Sequence, residues 1–139
     1  MPFITKQYKF CAAHRYWNNS WTDEKNYEVF CDDIKIHGHN YTLDITVSGA
    51  INDDSGFIVD MINLNKVVHE NVIKVMDHSQ IEQDIPWFKN KQPSTENMVV
   101  FIWERLCDRI PSEAMLHSIK LRETPTIFTT YFGPDNRNN

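Results

Sequence analysis

Glycine is scarce. Only four occur in 139 residues, at Gly38, Gly49, Gly56 and Gly133, too scattered to form a glycine-rich phosphate loop, a dinucleotide fingerprint or a nucleophile elbow. Long apolar runs are missing too: the longest extends from Met98 to Trp103, against the roughly 20 residues that span a bilayer. Lysines interrupt the first ten residues, which therefore lack the apolar centre of a secretory leader. The expectation is a cytoplasmic protein with no membrane contact. The three cysteines, Cys11, Cys31 and Cys107, are odd in number and far apart, which suits free thiols in a reducing compartment better than a disulfide frame. Positive charge is in deficit, with 14 Lys+Arg against 19 Asp+Glu and a net charge of −5. No global positive field draws nucleic acid or acidic lipid, so an anionic ligand must be met by a local cluster of cations.

What is present is globular: 41% hydrophobic and 24% charged residues, at a length that predicts one domain over residues 1–139. Phe3 to His14 reads as a strand with Ile4, Tyr8, Phe10, Ala12 and His14 on one face. Residues 17–30 form an excursion with a short helix capped at Thr22. From His37 to Gly49 alternation is nearly complete, His37, His39, Tyr41, Leu43, Ile45 and Val47 sharing a face. Asn52 to Gly56 is a turn, and Phe57 to Val59 is read as a short strand. Apolar residues from Leu64 to Met76 recur at helical spacing, residues 78–93 form a polar loop, and Ser94 or Thr95 caps a second helix through Leu106. His117, Ile119, Leu121 and Glu123 then share a strand face, and Thr126 to Phe132 forms the last strand. The tail Asn136–Asn139 reads as frayed. The order is ββααββ, an α+β domain with two helices on one face of a four-stranded antiparallel sheet. Its two open edges invite closure by neighbouring subunits.

His37-Gly38-His39 sets two imidazoles roughly 7 Å apart along one strand face, and His14 joins them if the first two strands form a hairpin. Three neutral imidazoles with a vacant fourth position suit a catalytic zinc centre; a structural one would be closed by four ligands. The plain alternative is a partly exposed pair without metal. Cys31, six residues before His37, is either a small packing residue or a thiol poised as a base near a positive centre. Cys11 and Cys107 read as packing residues. Asp77-His78 is either a helix-terminal histidine or a carboxylate-oriented proton relay. Glu123 puts a carboxylate on an apolar face, which is costly unless it is paired. Its acceptors match a ligand edge with two adjacent N–H donors, such as that of a pterin or guanine.

Phe10-Cys-Ala-Ala-His14, Cys31 followed after five residues by His37-Gly-His-Asn-Tyr41, Ser55-Gly56, Asp77-His78, Ser94-Thr-Glu-Asn97 and Arg122-Glu-Thr124 occur in that order. Over residues 3–132 the sequence resembles the 6-pyruvoyl-tetrahydropterin synthases and their relatives the 6-carboxytetrahydropterin synthases. The resemblance implies a tunnelling fold, with sheets joined between subunits into a barrel and two trimers stacked as a homohexamer with interfacial active sites. It implies Zn2+ held by His14, His37 and His39, a base at Cys31, a relay at Asp77 and His78, a pterin anchor at Glu123, and Thr95 and Glu96 near the pterin pocket. The implied substrate is the pterin triphosphate 7,8-dihydroneopterin triphosphate, converted to 6-pyruvoyl-tetrahydropterin with loss of triphosphate. In the carboxy branch, acetaldehyde leaves on the route to queuosine-type deazapurines. The Cys31 spacing and the 17–30 excursion resemble the pyruvoyl type, whereas Glu123-Thr-Pro-Thr126 resembles the carboxy type. Arg15, Lys35, Lys89 and Lys91 flank the implied site as candidate triphosphate partners. A metal-dependent hydrolase and a catalytically silent pterin-binding hexamer remain the readings from other classes.

Overall fold

Alternation becomes a hairpin. Strand β1, Phe3–His14, pairs antiparallel with β2, His37–Ser48, in a register that sets His14 opposite His37 and Ala12 opposite His39. This structure is a computed structural model and describes residues 1–134; the expected frayed tail Asn136–Asn139 lies outside the described residues. Strand β3, Met115–Thr124, adds to β2, and β4, Ile127–Tyr131, adds to β3, giving the sheet order β1-β2-β3-β4. Phe10, Ala12, Tyr41, Leu43, Ile45, Val47, Ile119 and Leu121 are buried on one face, each large apolar side chain there contributing about 1.5–3 kcal/mol of transfer free energy. Toward the start of β1 that face runs out of the core, and Ile4 is exposed.

The helices cover the same face. Asp60 caps α2, Met61–Val68, through the backbone N–H groups of Ile62 and Asn63. The helical path continues through a π segment, His69–Ile73, into α3, Lys74–Met76. Leu64, Val68, Val72 and Met76, four residues apart, are all buried, so the expected helix is realised with one wide turn inside it. Helix α5, Thr95–Leu106, is capped by Ser94, whose Oγ accepts the Asn97 N–H at 3.2 Å. Helix α1, Asp23–Phe30, starts at Thr22, the expected cap.

Four expectations are corrected. Phe57–Val59 is no strand, because the Asn52 N–H donates to the Phe57 carbonyl and closes the Asn52–Gly56 turn on itself. The 78–93 segment is more than a polar loop: it contains α4, Ile81–Asp84, and a 3-10 turn, Pro86–Phe88, whose Ile81, Ile85 and Phe88 enter the core. His117 leaves the Ile119 face, because a register shift pairs Val47 with Leu116 and Thr46 with Ser118, and the extra residue of such a bulge changes the alternation. Finally, the outer edge of β1 is not wholly open. The His78 N–H donates to the Cys11 carbonyl, the Ala13 N–H donates to the Ser79 carbonyl, and Ala13 bridges Gln80 in parallel, so residues 78–80 cover its last turn of chain.

Candidate metal centre and active site

Register carries three histidines to one end of the sheet. The His14 ring centroid lies 4.6 Å from that of His37 and 5.1 Å from that of His39. Glu123 joins them from β3, where its neighbour Arg122 pairs with Thr42 of β2. One atom from each of His14, His37, His39 and Glu123 lies within 4.8 Å of all the others. Glu123 Oε1 is 2.9 Å from His39 Nε2 and 3.3 Å from His14 Nε2.

The proton inventory makes this a receptor for a cation. His14 Nδ1 is 2.8 Å from the Pro93 carbonyl and His37 Nδ1 is 2.8 Å from the Lys35 carbonyl. A carbonyl only accepts, so in both rings Nδ1 carries a proton, and in the neutral ring Nε2 is then the nitrogen with the lone pair. The Nε2 atoms of His14 and His39 are buried without a hydrogen bond of acceptable angle, despite their closeness to Glu123. Burial is the largest cause lowering the His39 pKa below its usual 6.5, and His14 and His37 lower it further, while Glu123 acts in the opposite direction. The Glu123 carboxyl is held below its usual range, first by the His14 ring beside it and then by His39, against the cost of burial. Three imidazole nitrogens and one carboxylate are a donor set suited to a first-row divalent metal ion. Glu123 lies beside the three rings as a further oxygen donor, where the sequence reading counts imidazoles alone.

A second group forms on the other face of the hairpin. Cys11 Sγ lies 4.0 Å from Nδ1 and 3.9 Å from Nε2 of His78, and Asp77 Oδ2 lies 2.9 Å from His78 Nδ1. The Cys11 backbone N–H donates to Asp77 Oδ1 at 2.9 Å. That bond is the first cause of the lowered Asp77 pKa, with the His78 contact adding to it, so Asp77 is ionised at neutral pH. His78 adopts φ 63°, a strained conformation for a residue with a side chain. Cys11, read from the sequence as packing, is partly exposed and touches the relay pair instead. The alternation does place it off the core face; its meeting with residue 78 could not have been seen there.

Cys31 belongs to neither group. It is exposed, starts a 3-10 turn at φ 53°, and its thiol approaches the Glu28 carbonyl at 3.9 Å. Thr95 is buried, its hydroxyl donating to Glu96 Oε1 at 2.9 Å and meeting Thr129 Oγ1 at 2.8 Å, so α5 is tied to β4. Two tyrosines escaped the sequence reading. Tyr16 packs 5.0 Å from the His14 ring, its pKa raised by burial and then by Glu123, Glu96 and Asp33. Tyr41 is fully buried with no hydrogen bond to its hydroxyl, and burial followed by Glu123 raises its pKa.

Comparison with known proteins bears on the family and the fold. The family model for 6-pyruvoyl tetrahydropterin synthase matches residues 3–134. The chain is 34% identical over 136 residues to the 6-pyruvoyl tetrahydrobiopterin synthase of Drosophila melanogaster, covering 96% of this chain and 81% of that one. It is also 34% identical, over 102 residues, to the 6-carboxy-5,6,7,8-tetrahydropterin synthase of Bacillus subtilis, covering 70% of this chain and 68% of the other. The solved 6-pyruvoyl tetrahydropterin synthase of Caenorhabditis elegans superposes with a TM-score of 0.86 at 29% identity, covering 96% of this chain and 98% of that one.

Proposed function

The chain belongs to the 6-pyruvoyl tetrahydropterin synthase family, and from that premise we propose that it converts 7,8-dihydroneopterin triphosphate to 6-pyruvoyl-tetrahydropterin with loss of triphosphate, as a zinc-dependent lyase. The observation that carries this reading is the convergence of His14, His37, His39 and Glu123, with two buried imidazole nitrogens lacking a hydrogen bond. The family match over residues 3–134 supports treating residues 1–139 as one domain.

His14, His37 and His39 would hold the zinc. Bound there, zinc would supply a Lewis acid that draws electron density from the substrate's side-chain hydroxyls and acidifies the neighbouring C–H bonds. The carbonyls of Pro93 and Lys35 fix two of the rings through Nδ1 and leave Nε2 as the nitrogen available for a ligand bond. Glu123 anchors the pterin: an ionised carboxylate has two oxygens and only acceptor sites, so contact of Oε1 with the imidazoles leaves acceptors for paired ring N–H donors. Thr95 and Glu96 border that pocket. Asp77 orients His78, which exchanges a proton with the substrate side chain, and Cys31 acts as the base that removes one. Cys31 and His78 stand in no common group among the described residues, and the complete set is read as shared between neighbouring subunits. That sharing agrees with the proposed homohexamer, a dimer of trimers with interfacial sites. The exposed Phe3 and Ile4 on β1 and Ile127 and Phe128 on β4 fit edge strands joined between subunits into a barrel.

The test is to incubate the zinc-loaded protein with 7,8-dihydroneopterin triphosphate, with and without a chelator, and identify products by mass spectrometry. A chelator-sensitive pyruvoyl product with released triphosphate is expected. Carboxy-pterin plus acetaldehyde would move the assignment to the second branch, which the Bacillus subtilis relative and Glu123-Thr-Pro-Thr126 support. No turnover would overturn both. Cys31→Ala is expected to abolish turnover with zinc retained; loss on Cys11→Ala alone would make the thiol beside His78 the base.

A further inference from the structure

A net charge of −5 leaves a triply phosphorylated ligand dependent on local cations. A groove of about 730 Å³ opens between the segment that follows β1 and the chain leading from α4 into α5. Its wall includes chain neighbours of the metal group: Arg15 follows His14, Ile36 precedes His37, and Pro93 contacts His14 Nδ1 through its carbonyl. Its charged lining is Arg15, Lys89 and Lys91 against Glu82 alone. Both Glu82 oxygens are already engaged, Oε1 by the Arg15 backbone N–H at 2.8 Å and Oε2 by Gln80 Nε2 at 2.6 Å.

The three cations have no carboxylate partner among the described residues. The Arg15 guanidinium lies 5.1 Å from the Trp17 ring and Lys91 Nζ lies 4.9 Å from the Trp87 ring. Arg15 Nε is buried with no hydrogen-bond acceptor among the described residues. A buried charged donor left unpaired is costly, and three unpaired cations around one groove repel one another unless an anion enters. Lys35, also a candidate on sequence, pairs with Asp32 at 4.0 Å and does not line the groove.

We propose that this groove receives the polyphosphate tail of the substrate, with Arg15, Lys89 and Lys91 as its charged contacts, so that the pterin and the tail lie on opposite sides of the metal group. This rests on the substrate reading above. The test titrates inorganic tripolyphosphate, and separately unphosphorylated 7,8-dihydroneopterin, into the zinc-loaded protein by calorimetry. The double variant Lys89→Gln/Lys91→Gln is expected to weaken tripolyphosphate binding by about tenfold or more, as the loss of charge-assisted hydrogen bonds does, with dihydroneopterin affinity unchanged. Lys66→Gln/Lys74→Gln, the same change of charge at exposed helical positions outside the groove, is expected to leave both affinities unchanged. Arg15→Lys keeps the charge but loses the buried Nε donor, and a several-fold loss for tripolyphosphate alone is expected. Equal losses in the two lysine pairs, or none in Lys89→Gln/Lys91→Gln, would overturn the proposal. If turnover of the pterin triphosphate fails while the groove lysines still govern tripolyphosphate binding, the reaction assignment falls and the groove stands; the reverse pattern removes the groove alone.

Discussion

At the scale of single residues, the metal group is a problem of proton placement. His39 is mostly buried and takes a proton less readily than its usual 6.5 allows. A group whose folded pKa is depressed leaves the unfolded chain binding more protons between the two pKa values, so stability falls as pH drops through 6.5 toward the folded pKa. Thermal melts in chelator are therefore expected to give a lower midpoint at about pH 5.5 than at about pH 7.5. His39→Gln should flatten that dependence, and equal midpoints in the parent protein would contradict the burial account. The same protons compete with the metal for the lone pairs, so acid should also release zinc.

At the scale of elements, hairpin geometry and helix capping do the positioning. The β1–β2 register delivers three histidines without a loop residue among them, which gives the site the rigidity of a sheet. Helix α5 holds Thr95 and Glu96 in place through its first turn, where the Ser94 cap meets Asn97 N–H, and Asn97 Nδ2 in turn donates to the Gln92 carbonyl at 2.9 Å. Removing the cap with Ser94→Ala is expected to cost about 1 kcal/mol, read as a lower urea midpoint with an unchanged slope. Much of the helical content was legible from apolar spacing and cap residues. The π segment and the helix at Ile81–Asp84 were not: the first arises within a run whose spacing looks regular, and the second is too short for periodicity to reveal.

At the scale of the whole molecule, the sheet ends in two strands whose outer edges, over Phe3–Lys9 of β1 and along β4, have no strand partner among the described residues. Apolar side chains exposed there include Phe3, Ile4, Ile127 and Phe128. Lone edges of this kind favour pairing with another chain. Sedimentation is expected to give a hexamer, and Ile4→Lys with Phe128→Glu should shift it to smaller species while the far-ultraviolet circular dichroism is kept. A monomeric parent protein would refute the barrel and, with it, the interfacial completion of the site.

Alternation is a property of successive residues, so the sequence alone determined that His37 and His39 share a face, that His14 ends the apolar face of its own strand, that Glu123 is a carboxylate on an apolar strand, and that the fold is α+β; the hairpin register then joined His14 to the pair. Ordered motifs such as His37-Gly-His-Asn-Tyr41 and Ser94-Thr-Glu-Asn97 determined the family resemblance. Tertiary structure decided the rest. Only packing brings the Pro93 carbonyl to His14, 79 residues apart, and the Cys11 N–H to Asp77, 66 residues apart, and only the bulge in β3 turns His117 off the Ile119 face. The gathering of Arg15 with Lys89 and Lys91 belongs to the same class. A strand's period follows from its own backbone, whereas the meeting of distant side chains depends on how the intervening chain returns, and no local pattern encodes that path.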